Sequence, residues 1–102
     1  MNPDARHVVI FRAQARALDA AYEQTAAQLR ELALAQFGCL EFVALMQGDQ
    51  EIALSYWKDE ADIRRWKQQA EHLVAQQLGR TRWYESFRVE VATIQRAYGS
   101  PG

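Results

Sequence analysis

Cys39-Leu40-Glu41-Phe42-Val43-Ala44-Leu45-Met46-Gln47, then Gly48-Asp49, then Ile52-Ala53-Leu54-Ser55-Tyr56-Trp57 is the stretch that decides the fold. Two short apolar runs flank a Gly-Asp turn pair, so they are expected to form strands paired antiparallel as a hairpin. The first run carries Leu40, Phe42, Ala44 and Met46 on one pleated face and Val43 and Leu45 on the other. A strand apolar on both faces needs cover on both.

Upstream of the hairpin, Gly38 closes a stripe of Leu18, Tyr22, Thr25, Leu29, Leu32 and Ala33 at helical spacing, with Asp19 and Glu23 placed to suit the positive end of the helix. Before it, His7-Val8-Val9-Ile10-Phe11 predicts a strand over about residues 6 to 14. Downstream, Asp59 stands at an N-cap position, with Asp62 three residues on. Ile63, Trp66, Ala70, Leu73 and Val74 then keep helical spacing as far as Gly79, with a break expected near Ala70. Phe87, Val89, Val91 and Thr93 alternate with Arg88, Glu90 and Ala92, which predicts a long last strand to about Tyr98. The tail Gly99-Ser100-Pro101-Gly102 is expected to fray.

The order β-α-β-β-α-β is the split βαβ, ferredoxin-like α+β arrangement, with both helices on one face of a four-stranded antiparallel sheet. A second copy is the simplest cover for the other face. Two such sheets packed face to face make a dimeric α+β barrel, so a homodimer is expected.

The totals agree with one domain, 1–102, having its folded core over about 6–98. A chain of 102 residues buries only roughly 60–70% of its unfolded surface. With 49% hydrophobic and 25% charged residues and a net charge of -1, it has no field to hold a polyanion, which argues against nucleic acid. The single Cys39 forms no internal disulfide and reads as a buried thiol. No apolar run approaches the ~20 residues of a membrane span and Met1-Asn2-Pro3-Asp4 is no secretory leader, so the expected location is the cytoplasm. Phosphate-loop, Cys-x-x-Cys, His-x-x-x-His and Gly-x-Ser-x-Gly motifs are all missing, and no metal site is expected.

Residues 55–84 hold all three tryptophans, two of the four tyrosines and one of the two histidines. Tyr56-Trp57, Trp66, Glu71-His72-Leu73, Ala75-Gln76, Gly79-Arg80, Trp83-Tyr84 and Arg96-Ala97-Tyr98, together with the order of elements, resemble the antibiotic biosynthesis monooxygenase family of small dimeric α+β barrels. The resemblance spans about residues 6 to 98. It implies a ligand cavity between helices and sheet, walled by Trp66 against Phe11, Ala53 and Ser55, where Ala53 and Ser55 leave room. By similarity to the quinone-forming members, Trp66, Asp62 and His72 are the catalytic candidates, although those members carry an amide-bearing residue where this chain has Asp62. Phe11, Ser55, Trp57, Arg80 and Trp83 are the substrate-binding candidates.

The activity this implies is oxygenation of an electron-rich phenol, quinol or polyketide-type aromatic by molecular oxygen, with no cofactor. Removing the substrate's proton makes an anion able to reduce oxygen, and the protein supplies a base and a dry cavity. The alternative is haem, which the family's haem-degrading members hold through a histidine ten residues after the same tryptophan, with an asparagine near the end of the first strand. Here the tenth residue is Gln76, residues 8–14 contain no Asn, and His72 lies one helical turn away; glutamine is a poor haem ligand. A third reading is a small-molecule-binding dimer without turnover. Each candidate also has a plainer role: Trp66, Trp57 and Trp83 as packing, His72 as a hydrogen-bonded helix histidine, Arg80 and Arg82 as helix-end charges.

Overall fold

A computed structural model describes residues 2–77 and 79–100, with Arg80 described in its backbone only. The chain runs β1 (His7–Ala15), α1 (Ala20–Gln36), β2 (Cys39–Gln47), β3 (Gln50–Trp57), α2 (Glu60–Gln76), the single turn α3 (Gly79–Arg82) and β4 (Tyr84–Thr93). The strands lie in the order β2-β3-β1-β4, every neighbouring pair antiparallel. This is the ferredoxin-like α+β arrangement that the hairpin between two helices requires. None of the helices is long and apolar enough to cross a membrane among the described residues.

Local chemistry sets the ends of the elements. Asp19 is extended and its carboxylate accepts the Tyr22 amide at 2.9 Å, satisfying one of the orphan donors at the start of α1. Gly38 follows the C-cap Phe37 with φ 86°, the left-handed conformation in which glycine carries no Cβ penalty. Asp59 holds the N-cap place of α2 but makes no side-chain cap bond; Glu60 and Asp62 in the first turn supply the favourable charge instead. The break expected near Ala70 does not occur. Gln68, Gln69, Ala70 and Glu71 are ordinary or good helix formers, and α2 runs through them to Gln76.

β4 begins at Tyr84 and stops at Thr93, five residues short of the expected Tyr98. Its partner limits it: Thr93 lies opposite His7, the first residue of β1, and the Ile94 amide bonds the Arg6 carbonyl at 2.8 Å as the last rung. β2 departs from strict alternation because the register with β3 shifts between Cys39 and Glu41. With the extra residue there, Cys39 and Phe42 both face the helices.

Opposite residues on paired strands share a face, which sorts the sheet into two sides. Val9, Ser55 and Trp57 face α1 and α2, where Val9 and Trp57 join Ala33, Cys39 and Ile63 in the core. The other side carries Val8, Ile10, Ile52, Leu54, Tyr56, Val43 and Leu45, and among the described residues no helix packs on it. Leu45 is 67% exposed and Ile52 41% exposed there.

A Cβ added at Gly38 would stand 2.8 Å from the Asp62 carboxylate. Gly38→Ala is expected to lower unfolding free energy by about 1–2 kcal/mol from the left-handed backbone alone, read from urea denaturation midpoints, while Gly48→Ala, with open space around its Cβ, loses only the backbone part.

Candidate functional site

Beyond the row of Cys39, Trp57, His7 and Thr93, the helix side of the sheet carries three cross-strand rows. At one end Phe42, Ser55, Val9 and Val91 lie side by side; in the middle Ala44, Ala53, Phe11 and Val89; at the other end Met46, Glu51, Ala13 and Phe87. The end rows are four residues apart, about 13 Å along the strands.

The first end is closed by packing over β1, β2 and β3, while Val91 of β4 stays 51% exposed. Trp57 is fully buried, and its indole N–H donates to the Ser55 hydroxyl at 2.8 Å. Trp66 comes down from α2 onto this end, its ring 5.5 Å from Trp57 and 6.1 Å from Phe42. Its indole N–H donates to the Leu29 carbonyl of α1 at 3.0 Å, so Trp66 ties the two helices together as it caps the row. Asp62 sits one turn earlier, paired with Arg65 and lying against Gly38. His72 is on the solvent side of α2, its Nε2 3.2 Å from the Gln76 amide. Six residues of helix put it about 120° around the axis from Trp66.

The middle row is low. Ala44 and Ala53 leave little above the backbone, Phe11 is half-buried, and Val89 is 45% exposed. Between the packed end and the far row the sheet thus keeps a low, partly exposed apolar strip, or trough, of Ala44, Ala53, Phe11 and Val89.

The far row contains a buried carboxylate. Glu51 is 6% exposed and takes hydrogen bonds from the Tyr22 hydroxyl of α1 and, at 3.4 Å, from the Tyr84 hydroxyl of β4. Tyr84 meets Phe11 edge-on at 5.4 Å, and Phe87 stacks on Phe11 at 6.2 Å, continuing the trough as an aromatic wall. Behind it Trp83 is 1% exposed and donates its indole N–H to Asp19 at 3.1 Å. Asp19, which also caps α1 and pairs with Arg82, thereby locks the start of α1 to the start of β4. Tyr22 packs edge-on against Trp83 at 5.6 Å.

Of the residues singled out from sequence, Phe11 lines the trough, Trp66 closes its packed end, and Trp83 backs its acid end. Ser55 and Trp57 satisfy each other beneath Trp66, and the Arg80 side chain lies outside the described residues. Trp66 and Asp62 share one side of α2; His72 does not join them. Glu51, Tyr22 and Tyr84 were not singled out. The available signal was the phase of β3, where Glu51 alternates with Ala53, Ser55 and Trp57 and so points a carboxylate at the helices.

Burial raises the Glu51 carboxyl above its ordinary value of 4.5, and the Tyr84 hydroxyl pulls it partly back. Burial, then the Glu51 charge and the bond to it, push Tyr84 well above the ordinary phenol range. Cys39 is likewise raised by burial, which keeps it a thiol. Haem would need an iron ligand aimed at the trough, and neither His72 nor Gln76 faces it. Among the described residues no cluster of three or more His, Cys, Asp or Glu side chains is arranged around a common point.

The Glu51 shift has a stability consequence. A carboxyl whose folded pKa is raised contributes fully below its unfolded pKa and loses that contribution as pH rises through the folded value. Glu51→Gln is therefore expected to gain stability relative to the parent as pH rises from the ordinary carboxyl range through the raised folded value, measured as the difference in urea midpoints at each pH; a pH-independent difference would contradict the buried-carboxylate reading.

The sequence profile described as "Antibiotic biosynthesis monooxygenase" matches residues 6–78. An uncharacterized Bacillus subtilis protein, YqjZ, is 35% identical over 91 residues, 88% of this chain and 80% of that protein. Among solved structures, the fold is similar to a mutant of SnoaB, a cofactor-independent oxygenase from Streptomyces nogalater, with TM-score 0.74, 16% identity and 94% and 99% of the two chains covered. It is also similar to the monooxygenase from ActVA-Orf6 of Streptomyces coelicolor, in complex with the ligand Nanaomycin D, with TM-score 0.62, 14% identity and 98% and 96% covered. With β-α-β-β-α-β order, helices on one side of the sheet and these matches over most of its length, the chain belongs to the antibiotic biosynthesis monooxygenase family.

Proposed function

We propose that this protein is a cofactor-independent monooxygenase that oxidises a planar, hydroxylated aromatic of the quinol or anthrone type lying in the trough over Ala53 and Phe11. The observation that carries the reading is the low middle row between two built ends, indoles at one and a carboxylate with two phenols at the other. Such a space is apolar along its length and polar at one end, the pattern of a site that orients a flat ligand by few polar groups. Trp66 is then the wall against the ligand's apolar end, with Asp62 a turn before it. The likeness to a cofactor-independent oxygenase supports the absence of a cofactor.

The chemistry asks little of the protein. A base takes a proton from the substrate and the electron pair stays on the ring system; one electron passes to oxygen, and the radical pair joins as a C–O bond. The resulting peroxide is protonated, the same carbon loses its remaining hydrogen as a proton, and the O–O bond breaks with release of water, leaving a carbonyl. One oxygen molecule is consumed, one of its atoms enters the product and the other leaves as water. Exclusion of water protects the anion, and the apolar walls provide it.

Incubated with anthrone or a hydroquinone and isotopically labelled oxygen, the purified protein should consume one oxygen molecule per substrate and place one labelled atom in the product, above the spontaneous rate. Turnover that appears only after flavin or haem is added would overturn the reading.

A homodimer formed through the open apolar side of the sheet completes the proposal. Val43, Leu45 and Ile52 are too exposed there for a stable isolated surface of this size. Light scattering at micromolar concentration should give twice the chain mass, and Ile52→Glu should shift it toward monomer; a folded monomeric parent would refute this.

A further inference from the structure

We infer that Glu51 is the catalytic base of this site, taking the substrate proton from a hydroxyl or an acidic C–H at the polar end of the trough. The inference rests on the monooxygenase reading for its substrate class, but its own evidence is the construction around the carboxylate. Glu51 lies on the inward phase of β3, in the row that ends the trough, with Ala13 of β1 and Met46 of β2 on either side. The titratable groups that face it are Tyr22 from α1 and Tyr84 from β4, both phenols. Among the described residues no cation pairs with it.

That arrangement is unusual for a purely structural acid. A buried carboxylate is ordinarily neutralised by a basic partner, because an unpaired buried charge is costly. Here two neutral donors hold it, and they leave capacity unused. An ionised carboxylate offers about four acceptor sites; one oxygen receives Tyr22, and the other receives Tyr84 at 3.4 Å, beyond the usual ~2.5–3.0 Å of an O–H···O bond. The loosely held oxygen is on the side of Tyr84, whose ring edges Phe11 in the trough floor. In the proposed reaction a substrate hydroxyl approaching over Phe11 reaches this loosely held oxygen beside Tyr84.

Burial also tunes the group for the work. A carboxyl raised above its ordinary range by desolvation is a stronger base than a solvated one, and general bases act best as their pKa nears the working pH. In the step itself, the substrate's O–H or C–H bond breaks, the proton goes to Glu51 and the electron pair remains on the ring for transfer to oxygen. The protonated Glu51 then returns its proton to the peroxide, accepts the second one as the carbonyl forms, and passes it to the departing hydroxide, which leaves as water, so it ends the cycle ionised.

Two readouts separate this assignment from the oxygenase reading. With oxygen excluded, the parent protein in deuterated water should exchange the methylene hydrogens of anthrone, followed by proton NMR; with oxygen present, it should consume oxygen. Glu51→Gln keeps the size of the side chain and an acceptor for Tyr22, and circular dichroism should show it folded. It should lose roughly 10²-fold or more in both rates, while Glu51→Asp recovers part. The parent's rate should rise with pH along an acid limb that is missing in Glu51→Gln. In Tyr84→Phe that limb should move to higher pH, since the donor that lowers the Glu51 pKa is gone. Oxygen consumption in Glu51→Gln at the parent rate, with the same acid limb, overturns Glu51 as base and leaves the oxygenase standing. Glu51-dependent exchange without oxygen consumption upholds the base and overturns the oxygenase. A parent that shows neither exchange nor consumption overturns both.

Discussion

The two antiparallel ladders along β1 are the constraint on which the molecule depends. Because β1 pairs with β3 on one side and β4 on the other, a single register sets three strands at once: Val9 with Ser55 and Val91, Phe11 with Ala53 and Val89, Ala13 with Glu51 and Phe87. Side chains alternate faces with a period of two, so slipping the β1–β3 ladder by one residue would send either Trp57 or Val9 to the open side. Trp57 is fully buried, and losing a packed aromatic of that kind costs about 3–5 kcal/mol. The same register that the core enforces also delivers Glu51 to the row beside Phe11. Position of the acid is thus a by-product of packing some 20 Å away, by six residues at about 3.3 Å each.

Within that frame Glu51 runs against stability. A methionine or leucine on the inward phase of β3 would bury without desolvating a charge, and the neighbours Met46 and Ala13 show that the row accepts apolar side chains. The surrounding structure is correspondingly firm. Asp19 caps α1, pairs with Arg82 and receives the Trp83 indole, so the helix that carries Tyr22 and the strand that carries Tyr84 are tied at one residue. The exposed ion pair in that tie is worth little by itself, about 0–1 kcal/mol. Its indole and cap bonds are better shielded, and together they hold both phenols over one carboxylate.

The sequence made the architecture legible to the extent that local chemistry decided it. Gly48-Asp49 between apolar runs marks the hairpin, Asp19 and Gly38 mark the ends of α1, and the strand expected from Cys39 to Gln47 is β2 residue for residue. What escaped depended on partners. The alternation of Phe87, Val89, Val91 and Thr93 does not mark where the last strand stops, and the expected end at about Tyr98 overshoots because a strand ends where its neighbour does, and β1 begins at His7. The bulge that turns both Cys39 and Phe42 inward is a two-strand property with no mark in either strand alone. In the site, tryptophans draw the eye because they are few; Glu51 is one of thirteen acidic residues. Tyr22 was read as an apolar position of a helical stripe, which it is along its ring, while its hydroxyl reaches Glu51.

The division of the sheet into two apolar sides gives the small chain its logic. On the helix side the core fills only the end capped by Trp66, and the remaining rows stay low and open because Ala44 and Ala53 are small. On the other side Leu45, Val43 and Ile52 present branched side chains of similar height, a surface suited to close packing against another sheet rather than to holding a ligand. A chain that used both sides for its own core would have no room for a substrate, and at this length would gain little from the extra burial. In the proposed dimer, leaving one side for a second copy lets the other remain unfilled, and burial of that side against the copy offsets the stability that the trough forgoes.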